Sequence, residues 1–182
     1  MTNSGCTILF TGLSGSGKST LSQLVATHLR DHCNRSVTLL DGDIVRRKLS
    51  SELGFSKQHR EMNLQRIGYI ASEITKHGGI TVCAVIAPYK NSRRDFRRLI
   101  EVDGVFIEIY VSTPIDVCEN RDSKGMYAKA RKGIITEFTG ISDPYELPEN
   151  PELTIDTSTL MPDEAANIVI SYLCDKLLDR HD

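Results

Sequence analysis

The stretch Gly12-Leu13-Ser14-Gly15-Ser16-Gly17-Lys18-Ser19 fits the pattern G-x-x-x-x-G-K-[ST], and its setting restricts the fold more than any other part of the chain. It follows the apolar run Thr7-Ile8-Leu9-Phe10. It precedes a stretch, Lys18 to about Arg30, in which Leu21, Leu24, Val25 and Leu29 recur at helical spacing. Strand, glycine-rich turn and helix in that order make a cradle of inward N–H groups at a helix N-terminus, which suits the phosphates of a nucleoside triphosphate. Gly12, Leu13, Ser14, Gly15, Ser16, Gly17, Lys18, Ser19 and Thr20 would wrap those phosphates. Lys18 would reach the β- and γ-phosphates, and the Ser19 hydroxyl would join a magnesium shell. A plain Gly/Ser turn explains the loop's composition but not the order of the elements around it.

The alternation continues downstream. Ser36–Leu40 reads as a second strand ending at Asp41-Gly42-Asp43, and Lys57–His77 as a helix carrying Ile67, Ile70, Ala71 and Ile74, stopped by Gly78-Gly79. Ile80–Ile86 is nearly all apolar, as a strand covered on both faces should be. Val105–Val111 and Thr154–Asp156 read as further strands, and Pro162–Leu178 as a closing helix. This predicts an α/β fold of the three-layer P-loop NTPase kind, a mostly parallel sheet with helices on both faces. Residues 1–182 are expected to form a single domain, a length that suits one core. Arg121–Pro151, rich in Gly, Pro, Lys and Asp, is the least regular region and is expected to be a mobile lid.

A formal charge of −2 gives no global basic field for nucleic acid, so an anionic ligand must be met by a local group of cations. No apolar run spans a bilayer and no signal-peptide pattern opens the chain, which points to a cytoplasmic protein without a membrane partner. Five scattered cysteines (Cys6, Cys33, Cys83, Cys118, Cys174) with no C-x-x-C read mostly as buried small hydrophobes rather than disulfides or zinc ligands.

Asp41 and Asp43 stand at the carboxyl end of a strand, where doubly wound sheets collect their ligands. A carboxylate there could orient a hydroxyl acceptor or hold water on magnesium, although a turn with a helix N-cap also favours Asp. Arg46, three residues beyond Asp43, and Arg60 with Asn63 could grip a phosphate or sulfate through the planar guanidinium fork. Taken singly, each arginine reads as a solvated helix surface, and so does the run Arg93-Arg94-Asp95-Phe96-Arg97-Arg98. Phe55 and Phe138 could sandwich a base, with ordinary packing as the default. No N-K-x-D occurs, which disfavours a GTPase; a small chain with a basic lid suits phosphoryl transfer to a small molecule.

In combination these segments resemble the adenylyl-sulfate kinase (APS kinase) family, which phosphorylates the 3′-hydroxyl of adenosine 5′-phosphosulfate (APS) in sulfate assimilation. The resemblance runs from the phosphate loop to Pro151-Glu152-Leu153 and includes Asp41-Gly42-Asp43 with Arg46, Leu53-Gly54-Phe55-Ser56, Arg60 with Asn63, and Ile86-Ala87-Pro88-Tyr89. Its most specific parts are Arg121-Asp122-Ser123-Lys124-Gly125-Met126-Tyr127, Lys129-Ala130-Arg131, and Phe138-Thr139-Gly140-Ile141 with Pro144-Tyr145-Glu146. It implies that Asp43 orients the 3′-hydroxyl and helps Ser19 hold Mg2+, partly through water. Arg46, Arg60 and Asn63 would grip the phosphosulfate beside Ile86, and Phe55 and Phe138 would stack on the acceptor adenine. Lys124 would reach the acceptor and Arg131 the transferring phosphoryl, so Lys18, Asp43, Lys124 and Arg131 form the implied catalytic set. Arg121 would cover the adenine of ATP, with residues near Thr157–Leu160 completing that pocket. A homodimer is also implied.

Two positions depart from the family pattern. Ile44 replaces a common Asn, and Ala87 stands where the family usually has a serine that has been assigned as a phosphorylated intermediate in some members. Without that hydroxyl, direct in-line transfer is expected. The rival expectations are a kinase for another small hydroxyl compound and a nucleotide-binding regulatory module without catalysis.

Overall fold

The computed structural model describes residues 4–32 and 35–178, so Cys33 lies outside the described residues. Strands β1 (Gly5–Thr11), β2 (Val37–Asp41), β3 (Ile80–Ala84), β4 (Gly104–Val111) and β5 (Leu153–Ile155) form one sheet in the order β2-β3-β1-β4-β5. Every pairing is parallel. Parallel neighbours need long crossovers, so helices cover both faces. Helices α1 (Lys18–His32) and α7 (Pro162–Leu178) pack on one face. Helices α3 (Lys57–Lys76) and α4 (Lys90–Ile100) pack on the other, with Val45 of α2 (Gly42–Leu49) beside them.

Strand alternation divides the core between these two layers. In β1, Cys6, Ile8 and Phe10 face α1 and α7 while Leu9 faces α3; in β4, Ile107, Ile109 and Val111 take the first side and Phe106 the second. Cys6, Cys83 and Cys118 are buried, as small apolar side chains would be, and Cys174 is half-buried. Among the described residues no helix is long and apolar enough to cross a membrane.

The run Arg93–Arg98 is not a wholly solvated face. Arg94 and Arg98 do lie on the surface, but Arg93 and Phe96 are each 3% exposed. The cause is Glu108, the one acidic residue of β4, which points toward α4 and pairs with Arg93 Nε at 2.9 Å. Arg97 is half-buried against Glu152, with bonds of 2.7 and 2.8 Å.

Arg121–Pro151 is more ordered than its composition suggests. Helices α5 (Ile115–Arg121) and α6 (Met126–Arg131) enter it, and the Asp122 carboxylate starts α6 by accepting the N–H groups of Tyr127 and Ala128, both at 3.0 Å. Its second half is strapped to the sheet's carboxyl end. The Tyr89 hydroxyl donates to Asp143 at 2.7 Å, Glu146 N–H to the Pro88 carbonyl at 2.8 Å, and Arg93 to the Glu146 carbonyl at 2.7 Å. Strand β3 stops at Ala84, two residues before the apolar run ends. Beyond it Ala87 takes a left-handed φ of 44°, a conformation that costs a non-glycine residue about 1 kcal/mol or more. Arg93 Nη1 holds the Ala87 carbonyl there at 2.6 Å.

Candidate active site

At the end of β1 the chain turns through Gly12, Gly15 and Gly17, with φ of 149°, 75° and 99°. A side chain at Gly12 would place its Cβ 2.4 Å from the Val111 carbonyl, so the loop's path requires glycine there. The Ser16 carbonyl is turned outward and accepts the hydroxyls of Thr113 and Thr157 at 3.1 and 2.9 Å. Lys18 folds back over the loop, its Nζ donating to the Leu13 carbonyl at 2.6 Å. Burial pushes its ammonium down to about 8.

Ser19 Oγ donates to Asp41 Oδ2 at 2.7 Å, while Asp41 Oδ1 caps α2 by accepting the N–H groups of Asp43 and Ile44 at 3.0 and 3.3 Å. The first turn of α2 thus presents Asp43 to the space above the loop, where its carboxylate meets the ammonium of Lys124. The sequence marks Asp41 as one of two acids at a strand end, with a helix N-cap among its readings, and the structure makes it that cap. Its bond to Ser19 depends on the β1–β3–β2 spacing, which no local pattern encodes.

The cleft above these groups holds about 610 Å3. On its far wall Arg46 donates to the carbonyls of Leu53 and Gly54 at 3.1 and 2.6 Å, 4.8 Å from the centre of the Phe55 ring. Arg60 donates Nε to the Phe55 carbonyl at 2.6 Å and its other nitrogens to the Thr139 hydroxyl and the Glu137 carbonyl. Burial and then the neighbouring Arg60 charge lower the pKa of Arg46, a repulsion that an anion between them would relieve. Asn63 is 7% exposed and its Oδ1 has no partner, which leaves an acceptor in the cleft wall for a ligand donor.

Of the residues singled out in the sequence, Ser14, Gly15, Gly17, Lys18, Ser19, Thr20, Asp43, Arg46, Phe55, Arg60, Asn63, Ile86, Arg121 and Lys124 line this one cleft. Gly12, Leu13 and Ser16 shape the loop beneath it without lining it. Phe138 and Arg131 are elsewhere. Phe138 packs edge-on against Tyr127, ring centres 4.8 Å apart, in a small cluster with Cys118 and Ala130. Arg131 pairs with Glu119 through two bonds of 2.8 Å. That cluster seats α6 on the phosphate loop, where the Tyr127 hydroxyl donates to the Ser14 carbonyl at 2.8 Å. Arg121 reaches the Thr157 hydroxyl and carbonyl at 2.9 and 2.6 Å, and Thr157, Leu160 and Pro162 close that end of the cleft. A glycine-rich cradle for phosphates, a carboxylate beside it and a cationic wall opposite form an arrangement for moving a phosphoryl group onto an anionic acceptor.

The sequence profile of the adenylylsulphate kinase family matches residues 4–156. An adenylyl-sulfate kinase of Synechococcus sp. (strain JA-2-3B'a(2-13)) is 49% identical over 173 residues, covering 95% of this chain and 97% of that one. The structure of the Mycobacterium tuberculosis APS kinase CysC in complex with AMPPNP and APS superposes with a TM-score of 0.87 at 42% identity, over 93% of this chain and 97% of that one. A hexameric APS kinase from Thiobacillus denitrificans matches at a TM-score of 0.75 and 48% identity, over 96% of this chain but 30% of that one.

Proposed function

The chain belongs to the adenylylsulphate kinase family, and from that membership we propose how its cleft carries out the reaction. It is a kinase that transfers the γ-phosphoryl group of ATP to the 3′-hydroxyl of APS, giving 3′-phosphoadenosine 5′-phosphosulfate and ADP. The observation that carries this assignment of roles is Asp43, held between the phosphate loop and the Arg46, Asn63 wall and already paired with a cation from the lid.

Lys18 and the loop N–H groups hold the β- and γ-phosphates, with Arg121 and Thr157 at the adenine end. The phosphosulfate lies against Arg46, Arg60 and Asn63, beside Ile86, with Phe55 against the acceptor adenine. Asp43 then accepts the 3′-hydroxyl hydrogen bond and aims its oxygen in line with the γ-phosphorus, and Lys124 balances the charge that develops. Arg131 joins only after it leaves Glu119, and Phe138 only after it leaves the Tyr127 ring. With Ala87, which carries no hydroxyl, in the turn beyond β3 the transfer is direct, and no phosphoenzyme forms.

Ser19, Asp41 and Asp43 offer only hard oxygen donors at the phosphate end of the cleft, a set that fits Mg2+ held by one or two carboxylates together with phosphates. Ser19 would hold the ion directly and Asp43 partly through water; bound with the triphosphate, it offsets phosphate charge. The same reading makes the working form a cytoplasmic homodimer, and light scattering checks the assembly.

ADP release that depends on APS, and is absent with adenosine, gluconate or shikimate as acceptor, tests the assignment. Intact-mass analysis during turnover tests direct transfer: a species heavier by one phosphoryl group would end it. The Lys18 ammonium gives a pH prediction. It titrates near 8 in the free protein, and bound phosphates raise that value, so nucleotide binding takes up a proton at alkaline pH. Affinity for an ATP analogue at constant magnesium should therefore fall about tenfold between pH 7 and pH 9. Calorimetry in two buffers of different ionisation enthalpy reads the uptake, and none at pH 9 would refute it.

A further inference from the structure

The start of α3 also organises the acceptor wall. Ser56 Oγ accepts the His59 backbone N–H at 3.3 Å, and the His59 ring turns back so that its Nδ1 accepts the Gly54 N–H at 2.9 Å. That bond requires a bare Nδ1, with the ring proton on Nε2. The loop fixed this way gives all three of its carbonyls to cations: Leu53 and Gly54 to Arg46, and Phe55 to Arg60. Phe55, half exposed at the cleft edge, belongs to the same short segment.

We propose that His59 is a positioning residue for the acceptor, its neutral ring setting loop 53–55 and thereby the aim of Arg46, Arg60 and Phe55. The proposal rests on the acceptor role of that wall. A protonated ring reverses the effect twice over: Nδ1 turns from acceptor to donor facing an N–H, and a further positive charge joins two guanidiniums. The carboxylates nearby already face arginines: Asp143 stands 3.9 Å from Arg60 Nε. Glu52 of the preceding loop, whose carboxyl senses His59, is committed to Arg66 of α3 at 2.6 Å. Arg46 comes from α2, and within α3 the flanking charges are Lys57, Arg60 and Glu61.

The test is the KM for APS at pH 5.5, 6.5 and 7.5 with saturating MgATP, in the wild type, His59→Leu and His59→Asn. In the wild type KM should rise about fivefold on going from pH 7.5 to 5.5, with a smaller change in kcat. His59→Leu, which lacks the acceptor, should show the raised KM already at pH 7.5. His59→Asn puts an amide oxygen in the place of Nδ1 and does not titrate, so its KM ratio between the two pH values stays within about twofold. An acid rise in His59→Asn as large as in the wild type, or a flat wild-type profile, overturns the proposal. The ring nitrogen shifts at pH 7.5 give a readout independent of turnover: a protonated Nδ1 overturns it as well. If APS elicits no ADP at any pH, the acceptor assignment itself fails, and this proposal with it.

Discussion

Replacing Asp43 by alanine should lower kcat by at least about a hundredfold while the Kd for a non-hydrolysable ATP analogue changes less than about threefold. The separation follows from what Asp43 touches. Lys18 is held by the Leu13 carbonyl and Ser16 Oγ, and the loop by its own glycines, so the phosphate cradle does not depend on the Asp43 side chain. Nor does α2, whose cap is Asp41. Among the described residues the carboxylate's bonded partner is Lys124, and both groups are largely exposed to the cleft. In the proposed mechanism, what alanine removes is the acceptor for the 3′-hydroxyl proton, an interaction needed as the new P–O bond forms. Asp43→Asn, similar in size but without the charge, should lose nearly as much. Turnover within about tenfold of wild type in either variant would move the catalytic role to another group, with Asp41 the first candidate.

How far such roles could be read in advance depends on whether a signal is local. The phosphate loop is local in every respect, since its glycines, lysine and serine are set by consecutive φ values and one helix start, and the structure runs it from β1 into α1 at Lys18. The parallel sheet is legible because fully buried strands are almost entirely apolar, as Ile80–Ala84 is but for Thr81. Helix α2 was harder. Gly42 is its first residue, and Asp-Gly-Asp reads equally well as a turn until the Asp41 side chain is seen to accept two N–H groups. Phe138 shows a different limit. Its partner Tyr127 lies on a helix of six residues, too short to display a period, so stacking on a base and packing on a ring look alike in sequence.

Arg93→Met should destabilise the protein by about 3–5 kcal/mol, a fall in Tm of roughly 6–20 °C at this chain length, although the run around Arg93 looks like a solvated surface. A surface arginine would cost no more than about 0.5 kcal/mol, so calorimetry or a denaturant melt separates the two cases. The size of the effect comes from what is left behind. Glu108 is 7% exposed, and burial already raises its carboxyl pKa against the opposing pull of Arg93 and Arg97. Without Arg93 the carboxylate loses its closest partner, at 2.9 Å, and the Ala87 and Glu146 carbonyls lose donors at 2.6 and 2.7 Å. The sign with pH follows. An acid whose folded pKa lies above its unfolded value favours the folded state less as pH rises through that range, and removing Arg93 widens the gap. The loss should therefore be largest at neutral pH and shrink as Glu108 takes up a proton in acid. Adding Glu108→Gln to Arg93→Met removes the stranded charge and should restore at least about 1 kcal/mol at pH 7. If the double variant is no more stable than Arg93→Met, the cost lies in the freed carbonyls at the Ala87 turn and not in the buried charge.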